Sequence, residues 1–311
     1  MAWGLFKKMV IADRANIFVS EVFGDYQKYS GSIILLGGVL YTLQIYAEFS
    51  GCMDIVTGSA ELFGVPLSQN FSRPFFSKSV AEFWRRWHIT LGAWLRDYVF
   101  YSVSLSKPFM KLSRFAKEHL NEFLGSLIPA SFAMFFTWFG IGFWHGAGVK
   151  YIIYGLYYYA VMMLGMYLEP LFARAFNAAH INRNSKPLNA LRILRTLILV
   201  VCGMTLFRAE TVGIWLGMIK RVFTGFGGGT FLNDALLCGM DKQDFLIVIL
   251  GAAVMLVIST LQEKGINVRD TLAKQVLPVR WTVYICLVLS VIIFGAYGIG
   301  YDAVDFIYGQ F

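Results

Sequence analysis

Charged side chains are scarce in this 311-residue chain. Asp, Glu, Lys and Arg make up 15% of its residues, whereas soluble domains usually carry about 25%. Hydrophobic residues make up 57%, and several apolar runs reach the roughly 20 residues that a helix needs to cross a bilayer. The composition therefore argues against a soluble domain and predicts a protein with several membrane-spanning helices.

Cysteine pairs and metal-ligand patterns are missing too. The four cysteines lie far apart without a CxxC pair: Cys52, Cys202, Cys238 and Cys286. They predict neither a disulfide framework nor a zinc site, and we expect no bound metal. The net charge of +8 fits Lys and Arg in cytoplasmic loops. Because no basic cluster with stacking aromatics accompanies it, we expect no nucleic-acid partner.

The first eighteen residues do not form a signal peptide. In MAWGLFKKMVIADRANIF the apolar core is interrupted by Lys7, Lys8 and Asp13, and no small-residue cleavage site follows. The stretch is more typical of the interior of a protein than of its beginning.

The apolar runs predict an all-α chain with six to eight spanning or re-entrant helices. Glu48 and Asp54 lie in the first run, and carboxylates at membrane depth are costly unless they face protein, water or a partner. A loop is the alternative for the second half of that run. Loops are predicted at 66–79 and 173–195, and a short amphipathic helix before the Gly-rich turn GFGGGT. The runs lie at 30–62, 123–168 (long enough for two spans), 193–207, 245–261 and 281–300.

One short stretch concentrates charge and aromatic residues. EFWRRWHITLGAWLRDY, from Glu82 to Tyr98, holds three arginines, two acids, a histidine and three tryptophans. At 100° per residue, a helix over 80–98 would present one apolar aromatic stripe. His88 would lie at the edge of the stripe, with Arg85 and Arg96 beside it. Such a helix would lie on the membrane surface or re-enter the membrane beside a polar chamber.

A second histidine lies in a nearly uncharged apolar region. In FGIGFWHGAG, His145 is flanked by Gly142, Gly146 and Gly148, which we expect to leave room for a substrate beside the ring. Burial disfavours the imidazolium form, so the ring should be neutral and able to accept a proton. A hydrogen-bonded structural histidine is the alternative.

These motifs together resemble the membrane-bound O-acyltransferase family, most closely its bacterial branch of alginate O-acetylation and teichoic acid D-alanyl transfer proteins. The resemblance implies a single membrane domain over 1–311, a bundle of tilted transmembrane and re-entrant helices around a central funnel. Relatives tend to have further N-terminal membrane helices, Asp in place of Glu48 and an aromatic residue in place of Gly309. The matching segments are NFSRPFFSKSVAEFWRRWHITLGAWLRDYVF (70–100), GIGFWHGAG (140–148) and, more weakly, YAEFSGCMDIVTGSAELFGV (46–65) and FGAYGIGYDAVDFIYGQF (294–311).

The resemblance also implies an enzyme of acyl transfer and roles for individual residues. His145 would be the catalytic histidine and His88 the second functional one, orienting a substrate or hydrogen-bonding the oxyanion. The donor would be acetyl-CoA or an acyl carrier, with no bound cofactor, and the acceptor an exported polysaccharide or a periplasmic relay protein. The setting would be a bacterial cell membrane. The remaining expected donor-binding or chamber-lining residues are Arg85, Arg96, Trp84, Trp87, Trp144, Glu48 and Asp54.

Two alternatives to acyl transfer stay open from the sequence. Broken, Gly-rich helices with buried charge also suit a transporter or flippase. An inactive scaffold of an acetylation complex is the other. The ordered pair of histidine motifs favours acyl transfer over both.

Overall fold

The computed structural model describes residues 1–227 and 231–297, and its regular structure there is helical apart from one isolated β-bridge. In those ranges the α-helices are α1 (Ala2–Leu5), α2 (Asp13–Gly24), α3 (Gly31–Leu62), α4 (Val80–Arg86), α5 (Ile89–Leu95), α6 (Tyr101–Ser104), α7 (Lys107–His119), α8 (Glu122–Trp144), α9 (Val149–Ala178), α10 (Lys186–Arg208), α11 (Val212–Thr224), α12 (Phe231–Leu236), α13 (Lys242–Glu263), α14 (Val268–Ala273) and α15 (Leu277–Phe294).

Six of these helices are long and apolar enough to cross a membrane: α3, α8, α9, α10, α13 and α15. They confirm the prediction of an all-α protein with several spans. The run at 123–168 forms two spanning helices, as expected. α3 continues to Leu62 without interruption, so the alternative of a loop in its second half is wrong. The amphipathic helix before the Gly-rich turn is α11, and residues 228–230 of that turn lie outside the described ranges.

The polar loop predicted at 173–195 is wrong. α9 continues to Ala178 and α10 begins at Lys186, which leaves only 179–185 as a connection. Hydropathy marks only the apolar part of a helix, whereas both helices here extend past it into basic sequence. Pro187, in the first turn of α10, marks the true start, since proline is favoured where a helix begins.

The described chain divides into two compact units. One combines Met1–Ser68 with the residues from Gly213 onward, and the other is Gln69–Val212. The first contains α3, α13 and α15, and the second contains α8, α9 and α10. The expectation of one membrane domain with a central funnel stays a prediction.

Buried ion pairs account for the carboxylates of α3 in the first unit. Lys7 and Lys8 are buried in a π-helical segment, Phe6–Ala12. Lys8 Nζ lies 3.1 Å from the Glu48 carboxylate, and Lys7 Nζ lies 2.7 Å from that of Asp54. Glu48 is only 2% exposed, and a carboxylate so buried is tolerated only when it is paired. Each carboxylate is therefore held by a cation from the N-terminal segment.

Two glycines let α8 and α9 pack closely in the second unit. A Cβ atom on Gly142 would lie 2.5 Å from the carbonyl oxygen of Tyr151, and one on Gly155 would lie 2.2 Å from that of Trp138. Small residues allow this close approach between membrane helices. The helices of the hairpin that carries His145 are therefore in close backbone contact near the turn that joins them.

Tyrosine side chains join α9 to α10. The hydroxyl of Tyr157 donates to the carbonyl of Leu199 at 2.8 Å, and that of Tyr158 donates to the carbonyl of Val200 at 3.2 Å. The side chain of Tyr158 is fully buried, so its hydroxyl needs such a partner. These bonds bring the C-terminal end of α10 beside the start of α9, close to His145.

Candidate active site

The charged stretch is not the continuous helix that its periodicity predicts. α4 ends at Arg86, Trp87 is extended with φ −112° and ψ 128°, and His88 is left-handed with φ 47° and ψ 54°. α5 then begins at Ile89, and a π-helical segment, Arg96–Phe100, follows it. His88 thus lies at a break between two short helices, and the flank shared with Arg85 and Arg96 does not form.

Pairing with a distant loop explains the break. The amide of Ser72 donates to the carbonyl of Arg86 at 2.9 Å, and the amide of Ile89 donates to the carbonyl of Asn70 at 3.0 Å. Phe71 and Trp87 form an antiparallel bridge between these bonds. Backbone groups that a helix would satisfy internally are satisfied by the loop instead. The helical pattern of the sequence is overridden by this tertiary contact.

A side-chain cap and an ion pair stabilise α4. The Ser79 side chain caps it by accepting from the amide of Glu82 at 3.1 Å. The Glu82 carboxylate accepts from the amide of Lys78 at 2.9 Å and pairs with Arg86 at 2.8 Å. This arrangement resembles a capping box, and the pair of Glu82 with Arg86 has the spacing of four that favours ion pairs on a helix. These two charges stabilise the helix that precedes His88.

Asn70 orients the His88 ring. Its Oδ1 lies 3.1 Å from His88 Nδ1 and also accepts from the Thr90 amide and hydroxyl, at 3.3 and 2.6 Å. Because a carbonyl oxygen only accepts, Nδ1 carries the proton and Nε2 is the acceptor nitrogen of the neutral ring. The left-handed backbone at His88 costs about 1–2 kcal/mol, and strain of this kind is concentrated at functional sites.

His145 lies at the C-terminal end of α8 inside an aromatic enclosure. It is 6% exposed, and its amide donates to the carbonyls of Ile141 and Gly142. Four aromatic rings approach the imidazole: those of Trp144, Phe207, Tyr154 and Tyr151, at centroid distances of 4.7, 5.0, 5.7 and 6.4 Å.

Two of the three glycines expected to leave room beside His145, Gly142 and Gly146, pack closely against α9. The Cβ position of Gly142 is occupied by the backbone of α9, and that of Gly146 lies 2.9 Å from the Tyr151 ring. Gly146 also has φ +142°, a backbone conformation that residues with a side chain rarely adopt. Gly142 and Gly146 allow α8, the turn and α9 to pack closely, with the Tyr151 ring between Gly146 and His145.

Trp144 brings the two histidines together. Its ring centroid lies 6.0 Å from that of His88 and 4.7 Å from that of His145. Both histidines lie outside the six spanning helices. Burial lowers the pKa of His88 to about 4. Burial, together with the proximity of His88, lowers the pKa of His145 to about 4. The site therefore holds two neutral imidazoles around one indole, and Trp144 is 47% exposed.

The other tryptophans predicted for the site pack into the aromatic interior of the same unit. Trp84 contacts the rings of Tyr158 and Trp138 at 4.8 and 5.2 Å, and Trp87 contacts those of Phe71 and Phe83 at 5.1 and 5.4 Å. They hold α4 against its neighbours. Trp144, by contrast, has ring contacts with both histidines.

The charged residues predicted for the site are divided between the two compact units, and Arg85 and Arg96 lie in the unit that carries the histidines. Arg85 is exposed, and Arg96 is exposed and paired with its neighbour Asp97 at 2.9 Å. Glu48 and Asp54 belong to the other compact unit. Their roles in donor binding or in lining a chamber stay predictions.

Sequence reasoning missed the residues that shape the site from a distance. Asn70 and Phe207 are 18 and 62 residues away from the histidines that they contact. Tyr151 and Tyr154 are close in sequence, and their spacing of three on a helix places both on one face. That spacing was the available signal. It was weak, because tyrosines are frequent throughout α9.

The depressed pKa values predict how the activity depends on pH. A neutral imidazole is needed to accept a proton, so we expect the reaction rate to be flat from pH 8 to about 5 and to fall only as the pH approaches 4. An ordinary histidine would give a midpoint near pH 6.5. The pH profile of kcat/KM is the measurement, and a midpoint between 6 and 7 would contradict the buried neutral site.

Changing Asn70 tests its hold on His88. Asn70→Leu removes the acceptor and should lower kcat about tenfold, because small misplacements of reacting groups reduce rates strongly. Asn70→Asp keeps the acceptor but adds a negative charge that favours the imidazolium form. The pKa of His88 should then rise, and the loss of activity should move to higher pH. A pH profile of Asn70→Asp that superimposes on the wild-type profile would refute the contact.

The fold and the site together define a class: a multi-pass membrane protein with a neutral pair of histidines, one buried and one half-buried. The chain belongs to the membrane-bound O-acyltransferase family, whose family model matches residues 23–203. The C-terminal motif that contributed to the resemblance lies outside the described ranges from residue 298 onward.

Curated relatives of this chain are bacterial proteins. It is 34% identical over 249 residues to "Probable alginate O-acetylase AlgI" of Pseudomonas aeruginosa. The aligned region covers 79% of this chain and 42% of the relative. It is 29% identical over 243 residues to the peptidoglycan O-acetyltransferase of Helicobacter pylori, covering 77% and 40%. It is 30% identical over 146 residues to the teichoic acid D-alanyltransferase of Bacillus subtilis, covering 46% and 33%. The chain thus spans less than half the length of these relatives.

Proposed function

We propose that this chain carries the catalytic site of a membrane O-acyltransferase, which moves an acyl group, most simply acetyl, from a thioester to a hydroxyl. One observation carries the proposal: His88 and His145, both neutral, contact the same Trp144 ring at 6.0 and 4.7 Å. Two neutral imidazoles close together are suited to proton transfer. The membership of the family supports acyl transfer as the reaction that uses them.

His145 acts as the general base in this proposal. The acceptor hydroxyl gives its proton to the imidazole as its oxygen attacks the thioester carbonyl. The tetrahedral intermediate then collapses, the C–S bond breaks, and the imidazolium returns the proton to the leaving thiolate. The products are an ester and a thiol, and His145 is neutral again. The aromatic rings around it exclude water, which would otherwise hydrolyse the thioester.

His88 orients the acceptor in this proposal. With its Nδ1 proton donated to Asn70, the neutral ring presents Nε2 as an acceptor. It is therefore suited to receive a hydrogen bond from a hydroxyl group, and not to donate one to an oxyanion. Of the two roles that the resemblance implies for His88, this contact supports the orientation of the acceptor.

The relatives support the chemistry of the proposed substrates. Alginate O-acetylation and peptidoglycan O-acetylation both place an acetyl group on a carbohydrate hydroxyl. We propose acetyl-CoA or an acyl carrier as donor, and an exported polysaccharide or a periplasmic relay protein as acceptor. A bacterial inner membrane is the matching location. Because the chain spans less than half of these relatives, its own activity is to be tested directly, in membranes.

The experiment is a label-transfer assay in membranes. Membranes that contain the protein receive acetyl-CoA labelled in the acetyl group, and label is followed into polysaccharide and protein fractions. The control is a protein in which His88 and His145 are both alanine, matched for expression. Label that depends on the histidine pair is the expected result. Label that is equal in both samples would reject the proposal, and export of unmodified polysaccharide that depends on the protein would favour transport.

A further inference from the structure

Lys150 occupies a position that helix electrostatics disfavours. It is the second residue of α9, and its side chain is half-buried. The N-terminal turn of a helix carries partial positive charge and favours acids. The first turn of α9 contains no acidic residue. A cation held at this place therefore needs a compensating partner, and the identity of that partner indicates what the residue does.

The partner is the C-terminal end of α10. Lys150 Nζ donates to the carbonyl of Ala209 at 3.1 Å and to that of Phe207 at 3.5 Å. The last carbonyls of a helix have no donor within the helix, and a cation is favourable there. Lys150 Nζ also lies 4.8 Å from the centroid of the Tyr151 ring. One ammonium group thus joins the start of α9 to the end of α10.

The two residues that this ammonium contacts, Phe207 through its backbone carbonyl and Tyr151 through its ring, both contribute rings to the His145 enclosure. The Phe207 ring lies 5.0 Å from His145 and the Tyr151 ring 6.4 Å, and the two rings contact each other at 5.5 Å. We propose that Lys150 is a positioning residue: it fixes Phe207 and Tyr151 against His145, so that the imidazole keeps one orientation during the reaction. The role of His145 in this inference rests on the proposed function, whereas the positioning does not.

The test uses the whole chain purified in detergent, with two readouts. The first is kcat and KM for acetyl transfer. The second is the rate at which diethyl pyrocarbonate modifies His145, followed by mass spectrometry, which needs no catalysis. Lys150→Met removes the charge and the donors while keeping an unbranched chain, and Lys150→Arg restores both. Lys150→Gln, with an uncharged amide in place of the ammonium, replaces the Met variant if that variant does not fold.

Lys186→Met is the matched control. Lys186 is the first residue of α10, an exposed lysine at the start of a spanning helix in the same unit. Its side chain has no hydrogen bond or ion pair within the described ranges. The same substitution there changes charge and hydropathy equally but leaves the His145 enclosure untouched.

We expect Lys150→Met to lower kcat about tenfold with KM within twofold, because orientation of the base affects the chemical step more than binding. Modification of His145 should become several times faster, Lys150→Arg should recover most of both properties, and Lys186→Met should match the wild type. Two results would overturn the positioning role. One is a rate of His145 modification in Lys150→Met that equals the wild-type rate, and the other is a Lys150→Arg protein that recovers neither kcat nor the slow modification. Faster modification in a protein whose wild type transfers no label would support the positioning role and reject the proposed function.

Discussion

His145→Ala should lower acyl transfer by about 10²–10⁴-fold, which is the usual contribution of a general base. The imidazole is the proton acceptor inside the aromatic enclosure, and alanine removes it. The donor should still bind, since a general base acts in the chemical step. The measurement is the initial rate of label transfer at saturating donor, together with the affinity for the donor.

His119→Ala is the control for this prediction. His119 is an exposed histidine at the end of α7, stacked on Phe115, and its loss should leave the rate unchanged. His145→Gln adds a further test, because glutamine keeps polar atoms near the imidazole position but cannot accept the proton at neutral pH. It should be as inactive as alanine. A His145→Gln protein with more than a tenth of the wild-type rate would show that His145 has a structural role only.

His88→Ala should have a smaller effect than His145→Ala if His88 orients the acceptor. KM for the acceptor should rise along with the fall in kcat, since a hydrogen bond to a bound hydroxyl contributes to the ground state as well. An equal loss in both variants, with unchanged KM, would mean that the two rings act as one proton-transferring unit.

The spanning helices could be predicted from the sequence, because a long apolar run has few other stable structures in a membrane. The ends of those helices were predicted less well, as the false loop between α9 and α10 shows. Helix ends depend on caps and on basic side chains that extend beyond the apolar part. Pro187 and the long polar ends of both helices were visible, but hydropathy alone does not weigh them.

The burial of His145 was predicted correctly, whereas the local geometry around the two histidines was not. Burial of His145 follows from its apolar surroundings. The break at His88 depends on Asn70, whose contact requires the loop before α4 to fold back, and no local pattern encodes that pairing. The ion pairs of Lys7 with Asp54 and of Lys8 with Glu48 span 40 residues or more. Such pairs depend on tertiary packing, which helical periodicity does not predict.

Gly155→Ala should destabilise the protein strongly and inactivate it. The added Cβ would lie 2.2 Å from the carbonyl oxygen of Trp138 and 3.1 Å from the amide nitrogen of Gly142. These are backbone atoms of α8, which cannot rotate away as a side chain can. α8 and α9 must therefore separate, and overpacking of this kind costs about 1–3 kcal/mol or more. Since His145 is carried by the end of α8, the separation also shifts it away from Tyr154.

The same substitution ten residues later should act in the opposite direction. Gly165 is exposed on α9, and no atom lies within 4 Å of its Cβ position. Gly165→Ala should stabilise by up to about 1 kcal/mol, through the helix propensity of alanine. Thermal unfolding in detergent and label transfer measure both variants. Since the two proteins have the same composition and helix, a midpoint lowered only in Gly155→Ala isolates the contact between α8 and α9. Equal midpoints would mean that these helices do not pack as closely as the backbone distances require, and the enclosure of His145 would then need another origin.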